Sequence, residues 1–278
     1  MANMESITLE GRRLELRHIP APADSTRAPL VFLHEGLGSV SLWRQRGLDW
    51  PAQLCERTGR AGWIYSRRGY GQSDPVLDVR GEPRWHGFWH EGRHEPDYMH
   101  IEAWRVLPGL LRELDIRRPV LVGHSDGATI ALLHASRHPV AACVVMAPHL
   151  FVEDIAVQAI ERAREAFVSS AAGGTGLRDR LARHHADVDN AFWQWNDVWL
   201  SPAFRAFDIR PQCRSIQAPL MAAQGEQDEY GSLAQLQELA RCVPGMKPAI
   251  LADCGHSPHR DQPGPLTAAV QAFLAVCD

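Results

Sequence analysis

The pentapeptide Gly123-His124-Ser125-Asp126-Gly127 carries the clearest chemical potential in the chain. It follows the apolar run Val120 to Val122 and precedes Ala128 to Ser136, a segment of helical character. A serine on a tight strand-to-helix turn holds its hydroxyl clear of the backbone, and glycines two positions to either side leave the room such a turn needs. A hydroxyl is a weak nucleophile at neutral pH until a base takes its proton. This serine therefore calls for a histidine, and for an acid that orients the histidine. Two later segments supply them. Pro219 to Ala223 leads into Gly225-Glu226-Gln227-Asp228, and Ala249 to Ala252 leads into Asp253-Cys254-Gly255-His256-Ser257-Pro258-His259. Asp228 is the candidate acid, His256 the candidate base, and acyl transfer through Ser125 the chemistry that the three would perform.

Five stations resemble the α/β-hydrolase family: Leu33-His34-Glu35-Gly36 after a strand, Gly123 to Gly127, Gly225-x-x-Asp228, Gly255-His256, and the turn Ser66-Arg67-Arg68-Gly69-Tyr70-Gly71-Gln72-Ser73, where Ser66 stands in the family's aspartate position. The resemblance spans nearly the whole chain. It implies a mostly parallel central sheet with helices on both faces, a helical cap inserted over residues 149–210, and a core built from 1–148 and 211–278. It selects Asp228 over the flanking Glu226 and Glu229, and His256 over His259; Glu153 or Asp154 is the acid in a variant of the arrangement. His149 reads as a pocket-lining or core-edge histidine. The resemblance also implies an oxyanion hole made by the backbone N–H groups of Gly36 and Asp126, the latter helped by its place at a helix start. Glu35 departs from the pattern, since the family usually has glycine there. A carboxylate aimed at a developing negative charge would oppose it, so Glu35 either points away into a polar network or has a role of its own.

These residues need a scaffold that brings strand ends together. Apolar strands are expected near Ser6 to Leu9, Arg13 to Ile19, Leu30 to His34, Trp63 to Ser66, Val120 to Val122, Cys143 to Met146, Leu220 to Ala223 and Ala249 to Leu251, with helices between most of them. Such alternation predicts an α/β fold with functional loops at the carboxyl ends of the strands. The alternation breaks between His149 and Arg210, where Phe192, Trp193, Trp195, Trp199, Phe204 and Phe207 cluster in a helical pattern. Trp193 and Trp195 cannot share one helix face, so one fills a local core while the other faces the cleft. The residues expected around the pocket are Glu35, His124, His149, Trp193, Trp195 and Trp199, which favours an apolar or aromatic acyl or alcohol group in a small-molecule ester substrate.

Composition limits the alternatives. With 278 residues and 45% hydrophobic content, the chain can bury a large core. Its 29 basic and 33 acidic residues give a net charge of −4, which offers no electrostatic footprint for nucleic acid. No stretch approaches a bilayer span, the first residues lack a signal-peptide pattern, and the six scattered cysteines suit reduced thiols, so no membrane partner and a cytoplasmic setting are expected. Oligomeric state is open, a homodimer included.

Three other readings compete. His90-Glu91-Gly92-Arg93-His94 spells H-E-x-x-H, a zinc motif that requires a helix; glycines and flanking prolines argue for a loop instead, so no metal is expected. Gly36-Leu37-Gly38-Ser39-Val40-Ser41, with Arg67 and Arg68 beyond, is a near miss for a dinucleotide fingerprint, and no cofactor is expected. The same fold also serves as a non-catalytic receptor. Within the fold, a thioesterase and a carbon-carbon bond hydrolase share the triad and remain alternatives to an ester hydrolase.

Overall fold

A computed structural model describes residues 4–45, 47–170 and 174–277. Eight strands form one sheet: β1 (Met4–Leu9), β2 (Arg12–Ile19), β3 (Leu30–Leu33), β4 (Gly62–Tyr65), β5 (Val120–His124), β6 (Ala142–Met146), β7 (Leu220–Gly225) and β8 (Lys247–Leu251). Their order is β1-β2-β4-β3-β5-β6-β7-β8, antiparallel for the first two pairings and parallel from β4 onward. All eight expected strands are present, with ends shifted by a residue or two. β8 begins earlier than expected, at Lys247-Pro248, because an edge strand tolerates an exposed lysine and a proline that donates no ladder bond.

The sheet is buried from both sides. Successive strand residues face opposite ways, so Leu30, Phe32, Val120 and Val122 join one apolar cluster while Val31, Leu33 and Leu121 join the other. The first of these clusters also holds Trp50 and Leu54 of α1 (Trp50–Thr58) and Leu266 and Val270 of a C-terminal helix. Burial on both faces is why β5 and β6 read as continuous apolar runs rather than alternating ones.

Between β6 and β7 the chain forms α3 (Asp154–Ser169), α4 (Leu177–Ala182) and α5 (Val188–Trp199), whereas α2 (Asp126–Ala135) directly follows β5. The two ends of this segment are joined by a bridge between Phe151 and Asp208 and by the Ile209 amide donating to the Leu150 carbonyl at 2.8 Å. Two short hairpins were not anticipated: Arg44–Gln45 with Leu48–Asp49, and Arg84–His86 with Trp89–Glu91. Among the described residues no helix is long and apolar enough to cross a membrane.

Candidate active site

Register sets the site. Leu33 pairs with Gly123 and His124 with Met146, so β3, β5 and β6 end at one level and release their loops side by side. Ser125 follows β5 with φ 54° and ψ −118°, a left-handed conformation that costs a non-glycine residue roughly 1–3 kcal/mol. Its amide is anchored to the Met146 carbonyl at 2.9 Å. The flanking glycines are sterically required: a Cβ on Gly123 would lie 2.3 Å from the Gly127 carbonyl oxygen, and one on Gly127 would lie 2.0 Å from that of Leu33.

The strained turn brings the hydroxyl of Ser125 to 2.9 Å from His256 Nε2, and His256 Nδ1 stands 2.8 Å from Asp228 Oδ1. Asp228 is buried and accepts further bonds from the amides of Tyr230 (2.8 Å) and Gly231 (3.2 Å) and from Gln224 Nε2 (3.2 Å). Burial pushes its pKa up, but the hydrogen bond and charge of His256, with the Tyr230 amide, outweigh that and hold it below the usual aspartate value. The alternatives are engaged elsewhere. Asp154 pairs with Arg205 at 2.6 Å, and Glu153 accepts from Ser232 and Gln235. Glu229 accepts the His256 amide at 3.2 Å, and Glu226 is exposed. His259 is a buried core histidine packed near Trp43, Trp50 and His124.

Gly36 and Asp126 both line the cavity beside Ser125. Asp126 begins α2, so its amide has no intrahelical acceptor. The Asp126 side chain is fully buried and points the other way, accepting from Tyr98 Oη (2.5 Å) and Trp199 Nε1 (3.3 Å). Burial raises its pKa, against the pull of nearby Arg67. Trp199 thus ties the insertion to the residue after the serine.

Glu35 turns into a polar network. Its carboxylate accepts from Arg260 at 2.6 Å and lies 3.5 Å from His124 Nδ1. Burial alone would raise its pKa; Arg260 and His124 outweigh that and hold it well below the ordinary value. His124 Nε2 is 2.7 Å from the His256 carbonyl oxygen, so one network touches the loops after β3, β5 and β8. Arg67 secures the β3 loop through the carbonyls of His34 (2.5 Å) and Glu35 (2.9 Å), which assigns it a structural use in place of a nucleotide phosphate. In the turn that follows β4, Ser66 donates to Glu15 of β2 at 2.6 Å, so a carboxylate from a neighbouring strand stands beside the position where the family has aspartate.

The cavity over Ser125 has a volume of about 240 Å³. Its lining combines the apolar Trp195, Trp199, Ile160 and Leu37 with the polar Glu35, Arg260, Glu229 and Ser257. His124 and His149 also line it. Trp193, expected at the pocket, does not: it packs against Phe167 and Phe192 beneath Arg80, whose guanidinium is 4.0 Å from the ring centroid. Positions 195 and 199 are one helical turn apart and share a face, whereas 193 lies on the other side. Leu37, Ile160, Glu229, Tyr230, Ser257 and Arg260 were not expected at the pocket; Arg260, four residues beyond His256 in the short helix Pro258–Asp261, left a sequence signal by that nearness.

The H-E-x-x-H stretch is not helical. Trp89–Glu91 is a strand, and Glu91 accepts from Arg68 (2.7 Å) and Arg12 (3.1 Å), which removes it as a base for metal-bound water. Among the described residues no group of three or more His, Cys, Asp or Glu is arranged to hold a metal ion. Cys254 is buried, with its thiol pushed up to about 11 by burial, and acts as a small apolar residue.

Comparison with known proteins agrees with this architecture. The sn-1-specific diacylglycerol lipase ABHD11 of Mus musculus is 25% identical, over 95% of this chain and 86% of that protein. Among solved structures, the enol-lactonase from Burkholderia xenovorans LB400 superimposes with a TM-score of 0.69 at 19% identity, covering 98% of this chain and 100% of that one. Carboxylesterase CesB from Bacillus subtilis gives a TM-score of 0.70 at 19% identity, covering 99% and 92%. These structural likenesses speak to the fold. The family profile described as "Alpha/beta hydrolase family" matches residues 30–270, and the chain belongs to that family.

Proposed function

We propose that the protein is a serine hydrolase that cleaves a carboxylic ester through an acyl-enzyme on Ser125, without a cofactor. The observation that carries this reading is the unbroken line Ser125 Oγ, His256 Nε2, His256 Nδ1, Asp228 Oδ1, with separations of 2.9 and 2.8 Å. Ser125 Oγ attacks the ester carbonyl while His256 Nε2 takes its proton. Asp228 stays ionised, holding the Nδ1–H tautomer and stabilising the imidazolium. The amides of Gly36 and Asp126 receive the oxyanion, His256 returns its proton to the departing alcohol, and water then releases the acid by the same steps.

The relatives' names agree with ester chemistry, and the wall formed by Ile160, Trp195 and Trp199 favours an apolar or aromatic group on the substrate. In this reading residues 149–210 act as a cap over the nucleophile. The test is a p-nitrophenyl ester assay combined with a fluorophosphonate probe read by peptide mass spectrometry. Saturable dye release and a single adduct on Ser125 are expected. Dye release that persists in Ser125→Ala would overturn the reading.

A further inference from the structure

The Ser125 hydroxyl has a second imidazole beside it. His149 Nε2 is 3.4 Å from Oγ, on the side opposite the β3 loop, since β3 and β6 flank β5. Counting protons fixes how this contact is made. Asp228 is a carboxylate, so His256 Nδ1 carries a hydrogen and Nε2 is a bare acceptor that takes the only hydroxyl hydrogen of Ser125. A bond between Oγ and His149 then needs its hydrogen from His149, which makes His149 the Nε2–H tautomer. Its Nδ1 is buried with no hydrogen-bond partner among the described residues, which is tolerable for a bare lone pair and costlier for an N–H.

Whereas Asp228 stands behind His256, no carboxylate among the described residues bonds the Nδ1 of His149. It is held by Thr129, whose hydroxyl donates to the His149 carbonyl (2.9 Å) and accepts from its amide (3.1 Å), and by the Trp199 ring packed edge-on at 5.0 Å. Its ring centroid is 5.7 Å from that of His256. The group that departs must receive its proton from His256, and His149, which lines the same cavity at that distance, is near enough to meet the leaving oxygen.

We propose that His149 is a catalytic hydrogen-bond donor on the leaving-group side: its Nε2–H holds Ser125 Oγ in the free enzyme, then the alcohol oxygen as it departs. This rests on the ester-cleaving reading above and deepens it. No proton leaves His149. As the carbonyl carbon–oxygen bond breaks, its electron pair goes to the leaving oxygen, the proton comes from His256, and His149 lends a hydrogen bond to the developing charge. Burial, with the neighbouring His256 charge next in size, pushes the His149 pKa down to about 3, which keeps the ring neutral in the working range and unable to compete as base. The substrate class that gains most is the alkyl ester, whose alkoxide is a poor leaving group; an aryl or enol oxygen spreads its own charge.

The test is a leaving-group series with one acyl chain, from 4-nitrophenyl through phenyl and trifluoroethyl to ethyl ester, on the wild type, His149→Phe, His149→Gln and His149→Asn. For the Phe variant we expect kcat to fall roughly 100-fold on the ethyl ester and less than about 5-fold on the nitrophenyl ester, with KM little changed. Gln, whose amide N–H can stand at the Nε2 position, should restore most of the alkyl rate, and Asn should not. The Gln–Asn pair keeps the test decisive if the Phe variant fails to fold. An equal loss across the series, or none, would overturn the role of His149 while leaving the serine mechanism in place. A wild type that hydrolyses no ester and gains no phosphonate adduct on Ser125 would overturn the parent reading itself.

Discussion

Two histidine-lined cavities share a wall in this protein, and they differ in what faces each imidazole. Tyr98 lines the cavity that holds His90 and His94, and its hydroxyl bonds to Asp126, which lines the cavity that holds Ser125 and His256. On the Ser125 side, strain sets a hydroxyl against an imidazole whose other nitrogen has a carboxylate partner. On the His90 side, the motif's glutamate is spent on arginines, and burial lowers the pKa of both rings, that of His94 to about 4. His94 Nε2 faces the neutral amide oxygen of Gln194 at 2.9 Å. Histidines become a base when a charged partner fixes the tautomer and a nucleophile faces the free nitrogen; burial alone yields a silent, neutral ring.

The contrast can be broken most sharply at the nucleophile. Ser125→Ala should lower turnover roughly 10⁴- to 10⁶-fold, about 5–8 kcal/mol of transition-state stabilisation, whereas His90→Ala in the same assay should leave turnover within a few-fold. A comparable loss from His90→Ala would put chemistry in the wrong cavity. Asp228→Asn should cost on the order of 10⁴ by favouring the wrong tautomer, and Asp154→Asn, an exposed partner of Arg205, should leave the rate unchanged; the reverse outcome would relocate the acid.

Glu91→Gln tests the other side by stability. It removes the buried charge partner of Arg68, and losing one member of such a pair costs about 3–5 kcal/mol, so thermal unfolding should shift well downward while the rate per folded molecule holds. A smaller effect appears in acid. The Asp228 pKa is depressed in the folded state, so its ionisation supports folding above the unfolded value, near about 3.9, and that support fades as pH falls through the folded value. The stability contribution of Asp228 relative to Asp228→Asn should therefore shrink on acidification below pH of about 4, as read by urea melts. The least effect is expected from EDTA, which should not alter the ester rate; loss recovered by added zinc would restore the metal reading of residues 90–94.

The eight strands, and the segments that bring Ser125, Asp228 and His256 together, were legible because each rests on a local signal. A short apolar run followed by a glycine-marked loop reports a strand end whatever surrounds it, and the resemblance ordered the three loops. The same locality explains what escaped. The hairpin at Arg84–His86 and Trp89–Glu91 is held by distant arginines, so its sequence reads only as a loop. Trp193 and Trp195 could be assigned to opposite faces from spacing, but which face met the cavity depended on how α5 docks.

The sequence by itself therefore determined the class of fold and the three side chains that could shuttle a proton, since both follow from patterns a few residues long. Tertiary structure alone decided the use of the remaining polar groups. Glu35 meets Arg260 from the far end of the chain, Ser66 meets Glu15 from another strand, and His149 reaches the serine beside His256 while His124 and His259 are turned to other partners. The physical reason is that a titratable group takes its role from the partner opposite it, and here those partners arrive through the packing of distant segments.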